Sequence, residues 1–117
     1  PGFFTTGTGI PLPQRVNDIA ALAATWRAHR ALGRSGGMLV VQPPPAESAL
    51  PRELVERAVE DAVEHARRDG VRGAASTPYL LAAVEKATGG RSLGANLALL
   101  ERNATLAGRL AVALARG

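Results

Sequence analysis

The chain has 117 residues, no cysteine, and a net charge of +4 from fourteen basic against ten acidic residues. That is one domain's length with a modest core, and the absence of cysteine excludes a disulfide framework and a thiolate metal site. Acids and bases interleave, no basic run exceeds two residues, and the only aromatics are Phe3, Phe4, Trp26 and Tyr79. A nucleic-acid surface is therefore not expected. No run of eighteen apolar residues and no charged-then-apolar leader occurs, so neither a membrane span nor a signal peptide is expected, and a reducing cytoplasm suits the composition. The opening Pro1-Gly2-Phe3-Phe4 has no initiator methionine and reads as entry in mid-fold, hence as a segment of a larger domain.

In chain order, glycines and prolines between residues 1 and 16 leave room only for a short strand at Gly2 to Thr5. Asn17 then predicts an N-cap and Gly33 a C′ residue for a helix over about 18–32, with Ile19, Leu22, Ala23 and Trp26 inside. Met38-Leu39-Val40-Val41-Gln42, bounded by glycine and by Pro43-Pro44-Pro45, reads as a fully buried strand. Pro51 as N1 opens a second helix to about Arg68, with Leu54, Val55, Ala58, Val59, Ala62 and Ala66 inward. On its outer face Glu53 precedes Arg57 and Glu64 precedes Arg68 by four residues, and His65 among them is a surface histidine. Val71 to Ala74 reads as a short extended piece. Thr77-Pro78 restarts a helix that ends at Thr88-Gly89-Gly90, and Ser92 caps a long terminal one.

That last helix carries Asn96 and Asn103, seven residues apart and so on one face. Leu93, Leu97, Leu100, Ala104, Ala107, Leu110, Ala111 and Leu114 recur around them at three- and four-residue steps and mark an inner face. Arg102, Arg109 and Arg116 make the solvent stripe, so both carboxamides are expected to turn inward. An unpaired buried amide costs on the order of 1–3 kcal/mol, so each needs a partner. The partner is a neighbouring backbone group, or the edge of a planar ligand such as a nucleobase, which an amide meets with both a donor and an acceptor. Gly94 and Gly108 inside this helix predict a close neighbour or ligand that needs the space. Asn103-Ala104-Thr105 matches a glycosylation sequon by chance.

Spacing alone assembles no reaction centre. His29 and His65 lack metal-ligand spacing, no G-x-S-x-G serine occurs, and Lys86, the single lysine, reads as part of an exposed helix turn. Thr5-Thr6-Gly7-Thr8-Gly9 offers hydroxyls and amides that suit a phosphate, or a plain glycine-rich turn.

Four blocks in order carry a resemblance: Phe3-Phe4-Thr5 to Gly9; Gly36-Gly37-Met38-Leu39-Val40-Val41 with Pro43 and Pro45; Thr77-Pro78-Tyr79-Leu80-Leu81; and Gly89-Gly90-Arg91-Ser92-Leu93 with Asn96, Leu99 and Asn103. Over nearly its full length the chain resembles the C-terminal part of the pseudouridine-5′-phosphate glycosidases, the indigoidine synthase A-like family. The resemblance implies an α/β fold, with the chain as the helix-rich part of an α/β/α sandwich around a mixed sheet, here about four helices and one to three short strands. It implies a homotrimer that reversibly cleaves pseudouridine 5′-phosphate to uracil and ribose 5-phosphate. A Schiff-base lysine, an acid and a divalent metal, usually manganese, would lie in the N-terminal remainder of the same enzyme. It assigns Asn96 to the uracil edge and leaves Asn103 a structural role. The chain departs from the family's pattern at Gln42, at Arg102 and at Thr6. Arg102 is expected to touch no site, whereas Gln42 ends a strand at a sheet edge where ligands collect. The alternative from another class is a noncatalytic helical interaction or oligomerisation module whose asparagines fix register.

Overall fold

A computed structural model describes residues 2–116. It contains four α-helices, α1 (Ile19–Ala31), α2 (Arg52–Arg68), α3 (Ser76–Ala87) and α4 (Arg91–Ala115), with a 3₁₀ turn at Gly73–Ala75. No strand occurs among the described residues, so the one to three short strands expected are not formed. Gly2–Thr5 closes into a turn, Gly2 N–H donating to Thr5 O at 3.2 Å, and the piece after Asp69-Gly70 becomes the 3₁₀ turn. Met38–Gln42 has no regular structure and is not the fully buried strand expected, Leu39 being 88% exposed, because a ladder needs two strands and none neighbours it.

Local chemistry sets the helix ends. Asp18, not Asn17, caps α1, its carboxylate accepting from Ala21 N–H at 2.7 Å, because the chain enters the helix one residue later than the spacing suggests. Asn17 instead accepts from Arg15 Nε at 3.0 Å. Gly33, at φ 68°, ends α1 in the left-handed conformation, with Arg34 N–H returning to His29 O. At the α3–α4 corner Gly90, at φ 80°, is the N-cap, and Ser92 lies buried inside the first turn rather than at the cap. The capping hydroxyl comes from Thr88. It donates to Val84 O at 2.8 Å and accepts from Ser92 N–H at 3.1 Å, so one buried side chain closes α3 and opens α4. Thr88→Val keeps the shape and removes both bonds, so it should cost about 1–3 kcal/mol, read as a lower urea midpoint at unchanged slope.

The core is built of small side chains. Phe4, Leu50, Ala58, Ala62, Val84 and Ala95 form one buried cluster, with Val55, Leu80 and Ala83 against it. α2 packs on α3, α3 on α4, and α1 on α4. The first contact uses the inner face expected of α2, except that Val59 stays exposed. Its outer face holds the Glu64–Arg68 ion pair, whereas Glu53 and Arg57 do not meet and Arg52 bonds Glu56 instead at 2.6 Å. Leu22 and Ala23 bury the α1 side, and Arg27 Nη2 donates to Ala113 O at 2.6 Å near the C-terminus of α4, whose last carbonyls lack helical partners.

One exposed contact has a pH signature. Tyr79, on α3, donates its hydroxyl to Asp69 Oδ2 at 2.6 Å, just past the end of α2. That bond to the carboxylate holds the phenol above its ordinary value of 10.0. The neutral phenol is the form that donates, so the link is intact below pH 10 and is lost as pH rises through the raised value. Absorbance titration of the single tyrosine should therefore show tyrosinate appearing late, and Asp69→Asn should bring it back toward 10.

Candidate functional site

An apolar groove of about 490 Å³ lies between the 38–42 run and α4, with Val40, Val41 and Gln42 on one wall and Leu99, Asn103 and Leu106 on the other. α4 reaches it because its inner stripe is Ser92, Ala95 and Leu99, continuing through half-buried Leu106 and Leu110. The expected inner face is only partly correct: Leu93, Leu97 and Leu100 are exposed, as are Ala104, Ala107 and Ala111. α4 carries two apolar stripes, and only one of them is covered.

The two asparagines separate. Asn96 is half-buried, as an amide on the edge of the inner stripe should be, and its side chain makes no hydrogen bond among the described residues. It does not line the 490 Å³ groove. Asn103 is exposed, against the expectation that it turns inward, yet it lines the groove and is bonded: Gln42 Nε2 donates to Asn103 Oδ1 at 2.8 Å. Arg102 Nε in turn donates to Gln42 Oε1 at 3.1 Å. A guanidinium can only donate, so Gln42 must offer its oxygen to Arg102 and its NH₂ to Asn103. The direction of the whole relay follows, and the Asn103 amide is left with its N–H donors free. Arg102 therefore does engage the site, which corrects its assignment to an idle solvent stripe.

Gly94 and Gly108 have open space where a side chain would stand, so no neighbour within the chain explains them. In the Thr5–Gly9 loop two of the three hydroxyls bond within the turn itself: Thr5 Oγ1 donates to Gly7 O at 2.9 Å and Thr8 Oγ1 accepts from Ile10 N–H at 3.3 Å. A shallow concavity of about 240 Å³ beside it reaches Arg52 and Glu56 at the start of α2. Among the described residues no three His, Asp or Glu side chains gather to hold a metal ion, so the manganese that the resemblance implies finds no ligand set there. No described helix is long and apolar enough to cross a membrane.

Fold and groove together define a helical unit that carries polar amides along α4, whose second apolar stripe is uncovered. The chain belongs to the family described as Indigoidine synthase A like protein, which matches residues 1–113. It is 56% identical over 117 residues to a pseudouridine-5′-phosphate glycosidase of Gemmatimonas aurantiaca, and 47% identical over 116 residues to one of Myxococcus xanthus. The match covers 100% and 99% of this chain but only 38% of each relative's length. Among solved structures it is similar to the prealnumycin C-glycosynthase AlnA in complex with ribulose 5-phosphate, with a TM-score of 0.83 and 29% identity over 95% of this chain and 36% of that one.

Proposed function

We propose that this chain is the C-terminal part of a pseudouridine-5′-phosphate glycosidase and supplies the helix that contacts the base. The observation that carries the reading is the match along the whole of this chain to relatives of that name, 56% identical in the first case. In this reading the reversible cleavage of the C–C glycosidic bond, to uracil and ribose 5-phosphate, uses a lysine, an acid and a manganese ion from the N-terminal remainder of the enzyme. The assembled protein is a homotrimer in the cytoplasm, acts on a small molecule, and binds neither nucleic acid nor membrane. Asn96 meets the uracil edge. Its amide is half-buried and unclaimed, so it keeps a donor and an acceptor for a ring that presents both. Asn103, already held by Gln42, keeps a structural part.

The test is reassembly. The 117-residue chain is mixed with the part of the Gemmatimonas aurantiaca glycosidase outside the matched region, and uracil release from pseudouridine 5′-phosphate is followed. The mixture should release uracil and neither component alone should.

A further inference from the structure

Gln42 is a fixed point on which α4 is gripped twice. Pro43 follows it and confines its backbone to extended conformations, and Pro44 beyond is fully buried, so the half-buried Gln42 side chain starts from a held position. Both ends of its carboxamide are then engaged by α4: Arg102 Nε donates to Oε1 at 3.1 Å, and Nε2 donates to Asn103 Oδ1 at 2.8 Å. Adjacent residues of a helix point about 100° apart around its axis. One contact from Gln42 would act as a pivot. Two contacts, from one rigid amide to adjacent positions, resist rotation of the helix in both senses.

The rest of α4 resists rotation weakly. Its buried residues are Ser92, Ala95 and Leu99, and the first two are too small to interlock with α3 as long side chains do. Near its far end Arg27 holds a backbone oxygen, Ala113 O at 2.6 Å, close to the helix axis where a bond has a short lever arm. Arg102 and Asn103 act on a longer one, through their side chains. Asn96 lies seven residues before Asn103 and points in nearly the same direction, about 10 Å along the same helix. Any rotation that carries Asn103 away from Gln42 therefore turns Asn96 by the same angle.

We infer that Gln42 is a positioning residue: gripped by Arg102 and Asn103, it sets the rotation of α4 and so the aim of Asn96. What Asn96 meets rests on the glycosidase reading; the rotation of the helix does not. Gln42→Met keeps the length of the side chain and removes both bonds. Gln42→Glu restores both, because a carboxylate accepts from Arg102 and also from the Asn103 NH₂ once that amide turns over. Asn103→Ala leaves the Arg102 arm in place and is the milder change. In the reassembled protein Gln42→Met should lower kcat/KM for uracil release about tenfold and Gln42→Glu should stay within about twofold. Added to Asn96→Ala, Gln42→Met should cost nothing further, since an absent amide cannot be misaimed. A second readout needs no substrate. Along a helix, amide residual dipolar couplings form a wave with the helical period, and in the 117-residue chain the phase of the α4 wave against α2 and α3 reports the rotation of α4. That phase should shift in Gln42→Met and stay in place in Gln42→Glu. Normal kcat/KM in Gln42→Met, the same loss repeated in the Asn96→Ala background, no rescue by Gln42→Glu, or an unshifted phase would each overturn the inference. A shifted phase beside a reassembled pair that releases no uracil even with Gln42 in place would leave the positioning intact and count only against the glycosidase reading.

Discussion

Asn96→Ala in the reassembled protein is expected to cut uracil release about 5- to 150-fold, the equivalent of one buried amide contact worth 1–3 kcal/mol. Asn103→Ala should change it by about twofold at most, as an exposed position does. The contrast rests on what each amide already does. Asn103 spends its acceptor on Gln42 and lies exposed, so alanine there removes a surface bond. Asn96 is half-buried with its hydrogen-bonding groups unclaimed, so alanine there removes a contact that only a ligand or the rest of the protein can make. Asn96→Asp separates the two sources of loss. It keeps the size and the acceptor but not the NH₂, so it should behave like alanine if the base needs a donor. Equal and small effects at both asparagines would remove Asn96 from the base.

A large effect on stability is expected at Ala62. It is 2% exposed and sits where α2 packs on α3, in a cluster in which alanine sets how close the helices come. Ala62→Leu adds volume at a position buried in the core cluster and should cost about 1–3 kcal/mol through off-rotamer side chains and helix displacement. For a chain with so small a core that is a large share of the total stability. The midpoint of thermal unfolding should fall by roughly 4–8 °C per kcal/mol. Ala82→Leu, at an exposed position of α3, is the control and should leave the midpoint nearly unchanged.

The four helices were legible because each combines apolar periodicity with a breaker at its end, and α1 and α2 fall within a residue or so of the expected bounds. Their caps were less so. Asp18 and Asn17 are adjacent and equally suited, and only the entry angle of the chain chooses between them. Thr88 was hidden because its hydroxyl serves two helices at once, four residues upstream of the amide it caps. The inner face of α4 was misread for a physical reason: the helix is apolar nearly all round, and periodicity cannot say which stripe is covered first. The stripe with small residues, Ser92 and Ala95, is the one that lets α3 approach, while the more hydrophobic leucines remain outside. The relay of Arg102, Gln42 and Asn103 joins positions some 60 residues apart, which no local pattern reveals. Met38–Gln42 was misread as a fully buried strand: composition marks an apolar run, but a strand is a property of two paired segments, and among the described residues this run has no partner and Leu39 is exposed.

The most direct measurement follows uracil release from pseudouridine 5′-phosphate when the 117-residue chain is combined with the complementary part of its Gemmatimonas aurantiaca relative. The account predicts no release by either part alone and steady release by the assembled pair. A pair that assembles and still releases no uracil would contradict the glycosidase reading and favour a noncatalytic interaction module.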